Sequence, residues 1–235
     1  MKLPVIGKQI ILLCSILLFS TLGFSQRQST MMHNEMTTQA ILQKNMGKDY
    51  ENDIEGSPYY DETFNSAKIL PIGKVFMVRY NVALDVMEVI QKTDTLVMNK
   101  AYRNYTIKQN KGNITYKILE NAEAKQDKLG YYIQLTNGEK IKLYRKDKKK
   151  FVEVTRTAYG STTTSTSAKY KEQKSEFYIE YGDSGSAVKL PKKKKSLIKL
   201  FASKQGDIKS FIKKNKIKLT KEQDLVRLIN YANSL

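Results

Sequence analysis

The sequence predicts a mainly β protein with helices at its C-terminal end: an antiparallel β-meander curled into a barrel or a bent sheet, then two or three short lysine-rich helices. Three observations carry this. Between Ile69 and Leu190 apolar and polar residues alternate in short runs separated by turn formers. Two of those runs, Tyr131–Thr136 and Lys140–Tyr144, flank Asn137-Gly138, and Asn-Gly readily supplies the two positive φ values of a type I′ hairpin turn. Beyond Pro191 the apolar spacing changes from two residues to three or four.

Taken in order, strands are expected around Val75-Met77-Arg79, Val86-Glu88-Ile90, Thr106-Ile107-Lys108 and Ile114-Tyr116-Ile118. The Asn137-Gly138 hairpin follows, then strands at Phe151–Thr155 and Glu176–Tyr181, with the Ser/Thr run 161–167 between them as a loop tip. Short turns with no helical pattern between them argue for a meander that curls on itself. Leu197, Ile198 and Phe201 share one helical face, and Ile208, Phe211 and Ile212 share the next, with Asp207 as an N-cap. Thr220 and Gln223 have capping-box spacing ahead of a last helix whose apolar face is Leu225, Leu228, Ile229 and Ala232. The expected organisation is a leader at 1–25, an arm and acidic loop at 26–62, a β domain at 63–190 and a basic helical tail at 191–235 packed on it.

The leader has Lys2 and Lys8 ahead of an apolar run from Ile10 to Phe19, then Gly23 and Ser25 at the −3 and −1 positions of a cleavage site before Gln26. That is the pattern of a secretory signal peptide. It implies an exported protein, in the periplasm, at the outer-membrane periphery or outside the cell. Cleavage would remove Cys14, the only cysteine, and leave His33 as the only histidine. The mature chain would hold no disulfide, and no later apolar run approaches the ~18 residues of a membrane span.

This inventory limits the chemistry. Gly182-Asp183-Ser184-Gly185-Ser186 has the look of a serine-protease nucleophile segment, but a triad needs a rigidly held histidine, and His33 lies in a polar, Met-rich arm. The segment reads as a turn between strands. Asp49, Glu51 and Asp53 are spaced like the start of a calcium loop, yet Ile54 stands at the glycine position and Tyr60 at the final glutamate. No metal site, cofactor or catalytic residue is nominated, and the chain is expected not to be an enzyme. A carboxylate hydrolase built on acids such as Glu176 and Glu180 is the third and weakest class.

Charge is the sharper signal. Loss of Lys2 and Lys8 takes the formal charge from +18 to +16, and Lys189–Lys221 holds 13 lysines against one acid, Asp207. Lys192, Lys193, Lys194, Lys195, Lys199, Lys209, Lys213 and Lys214 are the nominated binding residues. Their expected partners are anionic glycan, lipid head groups or an acidic envelope protein, with a plainly solvated face as the alternative. Nucleic acid is disfavoured because export removes the protein from it and arginine is nearly absent here. The acidic loop 49–62 is expected to dock against this lysine-rich end. Ten of the 15 tyrosines fall between Tyr102 and Tyr181, and Tyr116, Tyr131, Tyr144 and Tyr178 are nominated as a face for an apolar or sugar-like ligand.

Gly56-Ser57-Pro58-Tyr59, Arg79-Tyr80-Asn81, Met87-Glu88-Val89, Leu190-Pro191-Lys192-Lys193-Lys194 and the closing Glu222, Asp224-Leu225 and Tyr231 are similar to a type of secreted Bacteroidetes envelope protein. The resemblance implies an envelope location and carries no activity or site residue. Together these readings predict a non-enzymatic envelope protein whose basic helices make contact with an anionic partner. A ligand-binding module on the tyrosine face is the alternative.

Overall fold

The computed structural model describes residues 54–235 apart from 127, 154, 160 and 161, and side chains outside 154–166. The leader, Cys14, His33, Asp49, Glu51 and Asp53 lie outside the described residues. The chain is mainly β with three helices at its C-terminal end, as its pattern predicts. Ten strands form one sheet: β1 (Asn65–Leu70), β2 (Lys74–Asn81), β3 (Val86–Gln91), β4 (Asp94–Val97), β5 (Thr106–Gln109), β6 (Ile114–Asn121), β7 (Leu129–Gln134), β8 (Ile141–Val152), β11 (Lys169–Tyr181) and β12 (Ser186–Lys189). The other two, β9 (Thr155–Tyr159) and β10 (Thr162–Thr166), pair only with each other among the described residues. The Ser/Thr run is therefore a strand of a small hairpin rather than a bare loop tip.

The sheet is not a simple meander. After β4 the chain returns across the sheet to pair β5 with β1, and the last strand closes a ring. Strands β6, β7, β8, β11 and β12 are each antiparallel to the next, and β12 meets β6 in parallel at Ser186–Glu120 and Ala187–Asn121. Parity requires this: five alternating strands begin and end in the same direction, so the closing pair must be parallel. β6 can pair with both β5 and β12 because β5 holds its first half and β12 its last residues.

Alternation along β7, β8 and β11 sorts side chains into three cores. Tyr131 and Ile133 face a cluster with Ile69, Val78, Met87 and Ile107 under β1–β5. Tyr132, Tyr144 and Tyr178 form a second cluster with Leu119 and Ala187 inside the ring. Their rings meet edge-on, Tyr132 lying 5.0 Å from Tyr178 and 6.5 Å from Tyr144, so the ring is filled by its own side chains.

Ile141, Leu143 and Ile179 face the other way, onto α1 (Lys194–Lys199), α2 (Gln205–Lys214) and α3 (Glu222–Ser234). Leu197, Ile208, Ile212, Leu225, Leu228 and Ile229 are buried there. Burial of each such side chain is worth roughly 1.5–3 kcal/mol, so the C-terminal segment is part of the core.

Local signals succeeded less well at helix ends. α2 is entered through a 3-10 turn at Ala202–Lys204 and starts at Gln205, placing Asp207 inside its first turn rather than at the N-cap. α3 starts at Glu222 with no side-chain cap, and Asp224 Oδ2 instead accepts the backbone N–H of Lys218 at 3.0 Å. The expected capping box does not form.

Candidate functional site

Two surfaces bear on function. The first is the lysine face. Lys192, Lys193, Lys194, Lys195, Lys199, Lys209, Lys213 and Lys214 are all exposed, and none forms an ion pair among the described residues. Lack of a partner is not peculiar to this face. Lys142, Lys146, Lys148 and Lys189 of the sheet each pair with a carboxylate, but Lys68, Lys74, Lys108, Lys150, Lys169, Lys171 and Lys174 are exposed without an ion pair among the described residues. The helical face stands out by the density of its lysines and its single acid, Asp207. Lys192–Lys195 also crowd the start of α1, where the positive end of the helix dipole disfavours cations. Helix stability gains nothing from them.

The described part of the acidic loop does not dock on this face. Glu55 joins β11 instead, its N–H donating to Ala168 O at 2.9 Å and its carbonyl accepting from Tyr170 N at 3.0 Å. Lys149 Nζ ties the following residues down by donating to Ser57 O and Tyr59 O. Asp61 is taken by Lys111 at 2.7 Å, and this ammonium with the hydrogen bonds from Thr63 and Asn65 holds its carboxyl well below the usual range. Its charge is spent on the sheet, far in sequence from the basic helices.

The second surface is a cleft of about 500 Å³. β2 supplies Arg79 and Tyr80, β6 supplies Tyr116, β8 supplies Arg145 and Asp147, and the loop before β1 supplies Tyr60 and Asp61. Arg79 donates from Nε and Nη2 to Glu88 Oε2 at 2.9 and 2.7 Å. Its guanidinium lies 4.0 Å over the Tyr59 ring and 4.3 Å over Phe64. Glu88 is buried and also accepts from the Tyr59 hydroxyl at 2.7 Å. Arg145 grips Asp147 through Nε and Nη2, at 2.9 and 3.2 Å, and reaches Glu222 in α3 through Nη1 at 2.8 Å. Opposite Asp147 the β8–β11 register slips between Gln173 and Glu176, a bulge that lets the Ser175 hydroxyl donate to Asp147 Oδ1 at 2.7 Å.

The four nominated tyrosines do not share one open face. All are buried, Tyr131 and Tyr116 under β1–β5 and Tyr144 and Tyr178 inside the ring. Tyr144 donates to Glu180 Oε2 at 2.6 Å, Tyr178 to Glu176 Oε2 at 3.0 Å, and Tyr131 to Met98 O at 3.5 Å. The Tyr116 hydroxyl has no hydrogen-bond partner among the described residues, and Tyr116 lines the cleft. Burial, with Asp147 nearby, pushes its hydroxyl up to about 12.

Glu176 and Glu180 are committed to separate partners: Glu176 to Lys148, Lys189 and Tyr178, and Glu180, inside the ring, to Tyr144 and the N–H of Gly185. Gly182–Gly185 is the turn between β11 and β12, with Gly182 at φ 58° and Asp183 paired to Lys142, and Ser186 opens β12. No group of three or more His, Cys, Asp or Glu poised for a metal occurs among the described residues.

No protein-family model, curated protein or solved structure matches this chain. Its function must be argued from these two surfaces. No helix among the described residues is long and apolar enough to cross a membrane. Reading the sequence missed Arg79, Arg145, Asp147 and Ser175. The signal for two of them was present, since Arg145 and Asp147 continue the strand face of Ile141 and Leu143, where alternation predicts burial.

Proposed function

We propose that this protein is an exported, non-enzymatic envelope protein that holds onto an anionic lipid surface through its C-terminal helices. The observation that carries the reading is the density of eight exposed lysines, without ion pairs among the described residues, on α1, α2 and the segment before α1, where the apolar residues are buried in the core. A cation already matched to a carboxylate is largely neutralised at a distance, whereas an unmatched set sums its field. The lysines spread over α1, α2 and the segment before α1, a broad face that suits a surface of diffuse negative charge better than one compact ligand. Each contributes about 1 kcal/mol near an anionic leaflet, falling off within ~10 Å at 0.1 M salt. Export rests on the leader pattern of residues 1–25.

Sedimentation with vesicles tests this. The protein should pellet with vesicles containing phosphatidylglycerol and not with pure phosphatidylcholine, should release in 0.5 M salt as screening requires (about a 4 Å Debye length), and should bind several-fold more weakly as the Lys192→Glu/Lys193→Glu variant. Binding that ignores lipid charge would refute the reading. Preference for an acidic polysaccharide over the anionic vesicle would transfer it to a glycan.

A further inference from the structure

We propose that the cleft between β2, β6 and β8 is a second binding site, one for a neutral polyhydroxylated ligand of the sugar class, with the Tyr116 hydroxyl as its anchoring contact. The site goes beyond the lysine face and shares no residue with it.

Tyr116 is the point of departure. It is only 6% exposed, and its ring packs 5.3 Å from Tyr80 at 54°. Tyr80 spends its own hydroxyl on Asp85 Oδ1 at 2.6 Å, and Tyr131, Tyr144 and Tyr178 spend theirs on other groups. A buried hydroxyl without a partner costs roughly 1–3 kcal/mol, and the described residues contain no fully enclosed polar side-chain atom left unpaired. The Tyr116 hydroxyl therefore opens into the cleft, where it can both donate and accept. Gln109 lines the same cleft, and its carboxamide also makes no hydrogen bond among the described residues. It too offers a donor and an acceptor.

The chemistry of the walls selects the ligand. Each cation of the cleft is already matched: Arg79 to Glu88, Arg145 to Asp147 and Lys111 to Asp61. An incoming anion would compete with a seated carboxylate for its cation, and an incoming cation would meet the opposite problem. A neutral ligand meets neither cost, and its hydroxyls can share the pairs' remaining lone pairs and N–H groups. Ile114, Ile133 and the Tyr60 ring supply apolar surface for the C–H face of a pyranose. The volume, about 500 Å³, lies within the ~300–1,000 Å³ of small-molecule sites.

Calorimetry and saturation-transfer NMR on the full chain would decide it. The probes are glucose, galactose, N-acetylglucosamine and cellobiose, with galacturonate as the charged comparator. At least one neutral sugar should bind. Tyr116→Phe keeps the ring and should weaken that binding about tenfold, as should Gln109→Leu, whereas Lys192→Glu/Lys193→Glu should leave it unchanged. Circular dichroism confirms that each variant is folded. Failure of every neutral sugar to bind, equal affinity in folded Tyr116→Phe, or a preference for galacturonate overturns the proposal. None of these outcomes bears on the vesicle experiment, so the two readings fail separately.

Discussion

Asn233 fills the space beside Gly138: a Cβ added to that glycine would lie 2.2 Å from Asn233 Nδ2. The asparagine comes from the last turn of α3 and enters the β7–β8 connection. Its Oδ1 accepts from Lys140 N at 3.2 Å and from Ile141 N at 2.9 Å, and its Nδ2 donates to Ile141 O at 2.8 Å. A side chain thus supplies the bonds that a tight turn would have made for itself.

This arrangement predicts a coupled pair. Gly138→Ala should destabilise by about 1–3 kcal/mol through overpacking. Asn233→Ala should cost about 1–3 kcal/mol by leaving the Ile141 backbone groups unpaired. In the double variant the added methyl meets no amide, so urea midpoints should show the two costs falling short of additivity by more than ~0.5 kcal/mol. Strict additivity would mean that the contact carries no energy.

The same contact shows what the sequence could and could not reveal. Asn137-Gly138 correctly marks the reversal between β7 and β8, because the flanking alternation demands one. It gives the wrong turn, since neither residue has positive φ and the connection spans Leu135–Lys140. The glycine answers a residue 95 positions away, which no local rule can see. The helical faces were legible for the opposite reason: Leu225, Leu228, Ile229 and Ala232 announce their burial by spacing alone. Ring closure through β12 and β6, and the meeting of Tyr116, Arg145 and Asp61 at one cleft, depend on pairings between distant strands, and no period encodes those.

Lys146 and Asp85 join the two halves of the sheet. Nζ lies 2.6 Å from Asp85 Oδ2 and 4.7 Å over the Tyr132 ring, and burial pushes its ammonium pKa down while Asp85 opposes the shift. Asp85 sits at φ 55°, which asparagine tolerates, so Asp85→Asn isolates the charge. The variant should lose about 3–5 kcal/mol near neutral pH, because the ammonium stays buried without its carboxylate. With the lysine pKa depressed further, the unfolded chain binds more protons than the native one at alkaline pH. Stability of the variant should therefore recover as pH rises toward the ordinary lysine range. Chemical denaturation across that range checks it, and a loss that does not vary with pH would count against the mechanism.

Acid should act through Glu176. Burial alone would raise its pKa, but the Lys148 and Lys189 ammoniums and the Tyr178 hydroxyl outweigh it and hold the carboxyl at about 2. A depressed carboxylate contributes stability that is complete above the unfolded value near 4.5 and is lost as pH falls toward about 2. Glu176→Gln should be less stable than the parent at neutral pH and should show a shallower decline over that acid window. Parallel pH profiles for the two proteins would show that Glu176 is not the group responsible.

Stability and charge should separate on the C-terminal helices. Leu228 is wholly buried against the sheet, so Leu228→Ala should cost about 2–5 kcal/mol. Far-UV and tyrosine signals should still melt together, because α3 shares a core with Ile141, Leu143 and Ile179. The outer face predicts the reverse. Lys194 and Lys195 lie in the first turn of α1, at the end of the helix dipole that favours acids, and carry no ion pair among the described residues. Lys194→Glu/Lys195→Glu should therefore leave the fold unchanged or stabilise it by ~0.3–1 kcal/mol, while weakening attachment to anionic vesicles. A fold indifferent to these lysines and a surface that depends on them is the combination expected if the charge serves contact rather than structure. A variant that lost stability and attachment in step would place the lysines in the structure instead.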